Sequence, residues 1–369
     1  MPITVSRSDA AFGYGPDGAI FEIEDDLPEA YWAHPANAWS PLIASRIPGL
    51  EGVRLKYEGS HLSGSFKDRI MAVTLGELLA RQPDCPGVVV PSSGNAAVSA
   101  AALCAGRNLP MVAIVPLAVP VERLVPVTSR GGLVVRAGEG PSEAYALADR
   151  LADDLGFFRL YSTFASPWAE WGCRSIGLEL AGQAGSPISQ VVAPVSAGPV
   201  LVGLANGLAQ AGLDLPRLIA VQAAGCAPIA RAFAAGDDRV EPWLDAVDTK
   251  AAAIADRLVN YPQDGTRVLE MVRASHGRVD AVSDAELAAA RAALLRHDGL
   301  DAEFSACAGV ALLMREKGAV RAGTVCVITA SGFKHTFAGD APQNGAGSDL
   351  TVKVEHFLGR AAPGARLLR

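Results

Sequence analysis

An alternation of two kinds of segment, beginning at Val53, is the feature that most constrains the fold of this chain. Short apolar runs of strand length are separated by longer stretches with helical spacing, many of them rich in Ala and Leu. Strands are predicted at residues 53–57, 87–91, 111–115, 132–136, 191–195, 218–222 and 325–329. Helices are predicted at residues 66–81, 96–106, 142–155, 169–183, 200–211, 285–297 and 305–317. This order predicts an α/β fold with largely parallel, twisted sheets flanked by helices.

Composition limits the classes of partner that the chain is expected to have. It has 369 residues, of which 50% are hydrophobic and 19% charged, so we expect a globular protein with two or three domains. The formal net charge of −7 and the absence of a basic stripe argue against nucleic acid or an anionic membrane as a partner. We therefore expect neither nucleic acid nor a membrane as a partner.

The cysteines and the apolar runs indicate a reduced, soluble protein. The six cysteines are far apart and never form a C-x-x-C pair, which predicts buried thiols and neither a metal site nor a disulfide framework. The first residues lack a basic segment followed by an apolar core, so no signal peptide is predicted. An uncharged run from about residue 188 to 213 is interrupted by prolines and polar residues, and a buried strand–loop–helix unit explains it better than a membrane span. We expect a cytoplasmic protein.

One glycine pattern near the start of the chain resembles a dinucleotide-binding fingerprint but is read as a turn. Residues 13–18 match G-x-G-x-x-G. A genuine fingerprint follows a strand and opens a helix. Here Pro16, Asp17 and Gly18 favour a turn, and residues 19–23 alternate like a strand. A nucleotide-dependent oxidoreductase is therefore not favoured.

The stretch Ser63–Arg69 carries a lysine where a lysine is poorly suited. It follows the strand at 53–57 and places Lys67 in the first turn of the helix predicted at 66–81. The helix dipole disfavours an ammonium group at that end, and a neutral amine is the form that Schiff-base chemistry requires. Taken by itself, the stretch also fits an ordinary helix start with Ser65 as the N-cap and Lys67 in solvent.

Three more strand–loop–helix units place polar groups after a buried strand. The loop at 92–95 offers hydroxyls, an amide and backbone N–H groups, which suit a carboxylate. The loop at 196–198 opens a helix and could hold a phosphate, although Pro199 supplies no donor. The strand at 325–329 ends on the hydroxyl of Thr329. Each unit alone also matches an ordinary βα turn.

In this order, the four units resemble the pyridoxal-phosphate enzymes of the tryptophan synthase β superfamily (fold type II), most closely the threonine synthase family. The family pattern S/T-G-S-F-K-D-R is met by residues 63–69, and S/T-G-N by residues 93–95. Further similarity lies at residues 109–116, 221–228, 301–306 and 328–334. The resemblance covers roughly residues 40 to 335 and implies pyridoxal 5'-phosphate as the cofactor.

The resemblance also implies roles for individual residues. Lys67 would attach the cofactor and shuttle protons, Asn95 would bind its 3-hydroxyl, and Thr329 would face the pyridine nitrogen. A hydroxyl at that place does not stabilise a protonated ring, which suits elimination and replacement better than transamination. The implied cofactor contacts are Phe66, Lys67, Asn95, Ser196, Ala197, Gly198 and Thr329. The implied substrate contacts are Ser92, Ser93, Gly94, Asn95 and Thr163.

Two segments depart from the family pattern. The phosphate loop of threonine synthases resembles G-N-A-G-N, whereas residues 194–199 are shorter and have Ser196 and Pro199 in the asparagine places. The family segment N-S-x-N-P-x-R-x-E-G binds the phosphate of O-phosphohomoserine, and this chain offers Thr163, Phe164 and Ala169 there. The loss of a bidentate arginine from a phosphate site is costly. Phe164, Trp168 and Trp171 suggest a more apolar side to the substrate site, and core packing is the expected role of at least one of them.

The function implied is that of a pyridoxal-phosphate-dependent lyase or synthase. It would remove the α-proton of a small L-amino acid and carry out β- or γ-elimination or replacement. The alternatives are a true threonine synthase acting on O-phosphohomoserine, a serine or threonine ammonia-lyase, and a catalytically silent protein that only binds the cofactor. The presence of both Lys67 and Asn95 argues against the silent protein.

The resemblance implies two domains with the cofactor in the cleft between them. The expected division is an N-terminal segment at 1–49 packed on the large domain, a smaller domain at 50–165 with Lys67 and the substrate-carboxylate loop, and a larger domain at 166–369 with the phosphate loop. A homodimer is the family's habit and is expected here.

Overall fold

A computed structural model describes residues 11–14, 20–23, 39–139, 141–316, 320–333, 348–361 and 366–367. These residues fall into two compact units. The first takes its residues from 1–25, 38–66 and 163–333, and the second from 26–37, 67–162 and 334–369. Each unit has its own sheet and its own helices.

The described strands are β1 Ala11–Tyr14, β2 Ile20–Ile23, β3 Leu42–Ala44, β4 Arg54–Tyr57, β5 Val88–Val90, β6 Met111–Val115, β7 Leu133–Arg136, β8 Phe158–Arg159, β9 Gln190–Pro194, β10 Arg217–Ala223, β11 Arg278–Val282, β12 Thr324–Ile328 and β13 Arg366–Leu367. Most of the central strands are continuous apolar runs, as expected for strands buried on both faces.

The described helices are α1 Lys67–Arg81, α2 Asn95–Ala105, α3 Val125–Thr128, α4 Pro141–Leu155, α5 Pro167–Gln183, α6 Pro199–Gln210, α7 Pro228–Ala235, α8 Pro262–Ala274, α9 Asp284–Ala293, α10 Ala308–Arg315 and α11 Ser348–Ala361. Proline at the first position of five of these helices (α4 to α8) is consistent with their boundaries, since its missing N–H would be unpaired there in any case.

The first unit is built on a six-stranded sheet in the order β11-β10-β9-β12-β4-β3. All neighbours are parallel except β3 and β4, which are antiparallel. One face of the sheet packs on α9 and α10, where Val192, Val221, Ile328 and Leu312 are fully buried in one apolar cluster. The carboxyl ends of β9, β12 and β4 therefore lie at one edge of the sheet.

The second unit is built on a five-stranded sheet in the order β13-β7-β6-β5-β8. Strands β5 to β8 are parallel, and β13 is antiparallel to β7. Its core joins the sheet residues Val89, Ile114 and Val135 to Leu151 of α4 and Phe357 of α11.

Two glycines let α5 and α6 pack closely in the first unit. A Cβ on Gly177 would lie 2.2 Å from the Leu204 carbonyl oxygen, and one on Gly207 would lie 2.0 Å from that of Arg174. Because no side chain fits between the two backbones, the helices are held in one arrangement. The close contact fixes the helix that begins after the loop at 196–198.

The α/β prediction is confirmed, and each predicted strand and helix is present within one or two residues at most ends. Two predicted helices differ in type at one end. Residues 294–298, predicted as the end of the helix at 285–297, form a π-helical turn after α9, and residues 304–307 form a 3₁₀ turn before α10. The predicted set does not include several described elements, among them strand β11 and helices α7 and α8.

The sheets group the chain differently from the predicted domain ranges at two places. Strand β4, placed in the smaller domain at 50–165, pairs with β12 in the sheet of the first unit. Strand β13, placed in the larger domain at 166–369, pairs with β7 in the sheet of the second unit. Backbone pairing of this kind joins distant segments and has no local signal. The predicted division and the cleft between domains stay predictions.

The glycine pattern at 13–18 is followed by a strand. Strand β1 contains Gly13 and Tyr14, residues 15–18 lie outside the described residues, and β2 pairs with β1 in an antiparallel hairpin. A dinucleotide fingerprint opens a helix, whereas the next described element here is strand β2. Within the described ranges, none of the helices combines the length and the apolar character needed to span a membrane.

Candidate active site

The residues before Lys67 are paired with the residues after β12. The N–H of Phe66 donates to the carbonyl of Thr329 at 3.0 Å, and the N–H of Ser331 donates to the carbonyl of Gly64 at 2.8 Å. Ser65 and Ala330 face each other in this short antiparallel pairing. The structure thus brings together two segments that the sequence singled out separately.

Lys67 is the first residue of α1, and its side chain is half-buried. Its Nζ donates to the carbonyl oxygen of Ser162 at 3.1 Å. The next two residues, Asp68 and Arg69, are fully buried although they are charged. The amine is therefore oriented by a backbone carbonyl at the start of a helix that is anchored in the interior.

Thr329 follows β12 directly and is only 8% exposed. Close to it, the hydroxyl of Ser65 is buried and makes no hydrogen bond within the part of the chain that the structure describes. A buried hydroxyl without a partner is costly, because it has lost its water. This end of the sheet therefore has unused hydrogen-bonding capacity.

The loop at 92–95 connects β5 to α2 in the second unit. Gly94 is the N-cap of α2 and has extended backbone angles, and no side chain caps the helix. The Ser92 hydroxyl accepts the N–H of Gly94 at 3.2 Å, which tightens the turn. Residues 92–95 are all half-buried. A helix start without a side-chain cap leaves backbone donors for an anionic group.

The loop at 196–198 connects β9 to α6. Gly198 has a φ of +104° and is the N-cap of α6. A Cβ at this position would lie 2.0 Å from Cγ2 of Val268, so only glycine fits there. Among the described residues, no hydrogen bond uses the N–H of Ala197 or Gly198. The loop has the shape and the free donors of an anion site.

The segment at 163–166 lies against this loop. The ring of Phe164 comes within 3.7 Å of the Cβ position of Gly198, and Phe164 is buried. The hydroxyl of Thr163 accepts the N–H of Ala165 at 3.3 Å, and Ser166 is the N-cap of α5. The predicted substrate residue Thr163 is thus held in a turn next to the loop.

An arginine that the sequence did not indicate lies on Phe164. The guanidinium of Arg267, from α8, is 4.5 Å from the centroid of the Phe164 ring. Arg267 also pairs with Glu170, which accepts hydrogen bonds from Arg174 and Asn206 as well. The predicted family arginine is missing from residues 163–172, and this one reaches the same segment from a helix about a hundred residues further along the chain.

Two aspartates also lie beside the loop at 196–198. The Ser196 hydroxyl donates to Oδ2 of Asp256 at 3.0 Å. Asp264, in the first turn of α8, accepts the N–H of Phe164 at 3.4 Å. Both aspartates and Arg267 were missed in the sequence, because an acidic residue at a helix start or in a loop is ordinary there. Their contacts with Ser196 and Phe164 in the folded protein identify them as candidate site residues.

Burial raises the pKa of Asp264 to about 7, because the surroundings disfavour the charged carboxylate. The N–H of Phe164 acts in the opposite direction, the charge of Asp256 raises the pKa further, and Arg267 lowers it.

Within the described ranges, no group of three or more His, Cys, Asp or Glu residues could hold a metal ion.

A family of known proteins matches most of the chain. Residues 35–332 match the pyridoxal-phosphate dependent enzyme family. Among curated proteins, a threonine synthase from Methanosarcina acetivorans is 28% identical over 280 residues, which cover 74% of this chain and 67% of that protein. A threonine synthase from Mycobacterium leprae is 28% identical over 308 residues, covering 80% of this chain and 81% of that one.

Solved structures agree in fold. Maize serine racemase superimposes with a TM-score of 0.71 at 22% identity, covering 89% of this chain and 96% of that one. An L-serine ammonia-lyase from Rhizomucor miehei gives 0.69 at 22% identity, covering 80% of this chain and 94% of that one. Since the family match spans 35–332 and contains the lysine loop and the other three polar loops, the chain belongs to the pyridoxal-phosphate dependent enzyme family, and its cofactor is pyridoxal 5'-phosphate.

Proposed function

We propose that the protein is a lyase or synthase that acts on a small L-amino acid through removal of the α-proton, followed by β- or γ-elimination or replacement. The observation that carries the proposal is the pairing of Gly64–Phe66 with Thr329–Ser331, which sets the lysine loop beside a buried threonine. The threonine synthase relatives and the fold shared with an ammonia-lyase support it.

The residues of the loop at 196–198 fit the phosphate of the cofactor. The N–H groups of Ala197 and Gly198 make no hydrogen bond to any residue that the structure describes, and they lie at the start of α6, where the helix dipole favours an anion. The close contact between Gly198 and Val268 leaves no room for a side chain, so the backbone itself can approach the ligand. Asn95 is proposed for the 3-hydroxyl, and Phe66 for a contact with the ring.

When bound, the cofactor supplies an aldehyde for covalent attachment and a ring that withdraws electrons from the substrate's Cα. Lys67 is proposed to attach it and afterwards to take and return the α-proton at Nζ. The carbonyl of Ser162 orients that amine. The loop at 92–95 is proposed to bind the substrate carboxylate through its hydroxyls and backbone N–H groups.

The Thr329 hydroxyl is proposed to donate a hydrogen bond to the pyridine nitrogen. A threonine hydroxyl has no charge to stabilise a protonated ring, so the ring withdraws electrons less strongly than it would beside an aspartate. This property favours elimination and replacement over transamination. It supports the proposed reaction class without naming the leaving group.

The segment at 163–166 supports two candidate substrates. Phe164 is buried against Gly198, which suits a small apolar or hydroxylated side chain such as that of serine or threonine. Arg267, whose side chain is 30% exposed, is a cation beside the same segment and favours the second candidate, O-phosphohomoserine. Because Glu170 pairs with Arg267 and offsets its positive charge, a phosphate would be attracted less strongly to this segment. Serine or threonine is therefore the preferred substrate.

The proposal also includes a homodimeric state and a cytoplasmic location. The resemblance to threonine synthases supports the dimer, and the composition, with six cysteines that all are free thiols, supports a reducing compartment. Light scattering of the purified protein measures the first of these directly.

The test is a substrate panel with the cofactor-loaded enzyme. L-Serine, L-threonine, O-acetylserine and O-phosphohomoserine are supplied in turn, and keto acid, ammonia, phosphate and threonine are measured. The variant Lys67→Ala should lose all turnover, whereas Lys250→Ala, at an exposed lysine, should keep it. Turnover of L-serine or L-threonine supports the lyase. Threonine and phosphate from O-phosphohomoserine would establish a threonine synthase instead, and turnover by Lys67→Ala would refute the proposal.

A further inference from the structure

The loop at 196–198 has a carboxylate as the hydrogen-bond partner of its only side-chain hydroxyl. Ser196 donates to Oδ2 of Asp256 at 3.0 Å. A hydroxyl at the edge of a phosphate site normally serves as a donor to the phosphate. Here its proton is directed to a group that carries the same sign of charge as a phosphate.

Asp256 is held in this position by two other groups. The N–H of Leu258 donates to Oδ1 at 3.0 Å, and the Tyr261 hydroxyl lies 3.2 Å from the same oxygen. The carboxylate therefore has partners on both oxygens and keeps a fixed orientation. Its side chain belongs to a loop of the first unit, at residues 251–261, that ends where α8 begins.

Among the residues that the structure describes, none forms an ion pair with Asp256. Asp264 adds a second carboxyl group, whereas Arg267 is paired with Glu170. Arg257, next to Asp256 in sequence, donates to the carbonyls of Trp243 and Leu244 instead. A phosphate at the loop would thus be held by backbone N–H groups at a site where a carboxylate opposes it.

We propose that Asp256 is a positioning residue that weakens cofactor binding by retaining the proton of Ser196 and by repelling the phosphate. The inference rests on the proposed role of the loop at 196–198. It predicts that the cofactor dissociates more readily than it would from the same backbone donors without the carboxylate of Asp256. The fraction of enzyme that holds the cofactor would then depend on the cofactor concentration.

The first test measures the dissociation constants of pyridoxal 5'-phosphate and of pyridoxal, which lacks the phosphate. The apoprotein is titrated at constant pH and ionic strength, and cofactor binding is followed by absorbance and by protein fluorescence. In Asp256→Asn the amide oxygen still accepts from Leu258, so the local turn is preserved while the charge is removed. We expect affinity for pyridoxal 5'-phosphate to rise about fivefold, with pyridoxal unchanged.

Asp238→Asn is the matched control. Asp238 is almost fully exposed in the same unit and pairs with Arg273, so this variant changes the net charge equally. It should change neither dissociation constant by more than about twofold. An equal gain in Asp238→Asn would assign the effect to net charge and overturn the inference.

Ser196 supplies the second test. In the protein with Asp256 intact, Ser196→Ala should leave the affinity for pyridoxal 5'-phosphate within about twofold, because the hydroxyl proton does not face the phosphate. In an Asp256→Ala background, which frees the hydroxyl, Ser196→Ala should weaken binding about fivefold. Equal effects in both backgrounds would show that the two side chains act independently and would contradict the proposal.

The same titrations also test the proposed function, separately from the present inference. If neither the parent protein nor any variant binds the cofactor, the proposed function fails. If all bind it and Asp256→Asn binds no more tightly than the parent, only the present inference fails. A weaker affinity in Asp256→Asn would also overturn it, since it would mean that Asp256 supports the phosphate.

Discussion

Phe66 and Thr329 are joined by a backbone hydrogen bond of 3.0 Å, from the N–H of the first to the carbonyl of the second. The bond fixes the residue before Lys67 against the residue that directly follows β12. It belongs to a short antiparallel pairing that also includes Ser65 with Ala330. Two motifs far apart in the chain therefore keep a constant register, which is a requirement for a site whose groups must be placed within a fraction of an ångström.

Removal of the Thr329 hydroxyl should lower activity without unfolding the protein. Thr329→Val keeps the shape of a nearly buried side chain and deletes its hydrogen-bonding group. We expect kcat/KM to fall about tenfold or more, because the variant lacks the hydroxyl that is proposed to bind the ring nitrogen. Thr329→Ser retains the hydroxyl and should stay within about threefold of the parent. Full activity in Thr329→Val would show that this residue has no role at the ring.

A side chain at Gly198 should be far more damaging than one at Gly212, although both residues have a positive φ. The Cβ of Gly198→Ala would overlap Val268, and we expect a loss of about 2–5 kcal/mol in the free energy of unfolding. Gly212, just beyond the other end of α6, has open space, so Gly212→Ala should cost only about 1–2 kcal/mol. Urea denaturation of both variants measures the difference. Equal losses would mean that the Val268 contact is unimportant.

Asp264 should make the protein less stable as the pH rises towards neutrality. Its pKa is about 7 in the folded protein, raised by burial from an ordinary value of 3.8. Between those values the folded state binds more protons than the unfolded state, so stability decreases with rising pH. The contribution is lost as the pH passes through about 7 and amounts to at most about 4 kcal/mol.

The variant Asp264→Asn tests this linkage. It cannot ionise and still offers an oxygen to the N–H of Phe164. Urea midpoints at pH 5 and pH 8 should differ less in this variant than in the parent, and it should be the more stable of the two at pH 8. Asp238→Asn, at an exposed position, should keep the parent's pH dependence. An unchanged pH dependence in Asp264→Asn would contradict the raised pKa.

The buried pair of Lys56 and Glu179 should be a major support of the first unit. Lys56 is fully buried in β4 and donates to Glu179 at 2.6 Å and to the Ser40 carbonyl at 2.9 Å. Lys56→Met would leave a buried carboxylate without its cation and should cost about 3–5 kcal/mol. Asp245→Ala, which breaks an exposed pair with Arg231, should cost less than about 1 kcal/mol. Comparable losses of stability in the two variants would show that the buried pair contributes no more than the exposed one.

The sequence predicted the alternating core of the fold because its strands are strongly apolar. Val88–Val90 and Met111–Val115 are buried on both faces and have the short, continuous runs that parallel strands require. The pairing of β4 with β12 and of β13 with β7 was not predictable in this way. Such pairings depend on contacts between distant segments, and no local period encodes them.

The same limit applies to the candidate site. Lys67, Asn95 and Thr329 each lie after a predicted strand, and the resemblance to the pyridoxal-phosphate enzymes identified them as candidate site residues. Asp256 and Arg267 carry no motif, and their significance comes only from the distances to Ser196 and Phe164. The roles proposed for these residues stay predictions.

The attachment of the cofactor to Lys67 is the central claim, and chemical trapping tests it most directly. The loaded protein is reduced with sodium borohydride, digested, and mapped by mass spectrometry. We expect a visible absorbance band that disappears on reduction and a phosphopyridoxyl group on Lys67 alone, with no label on the Lys67→Ala variant. A label on another lysine, such as Lys56 or Lys250, or no label on a protein that binds the cofactor, would contradict it.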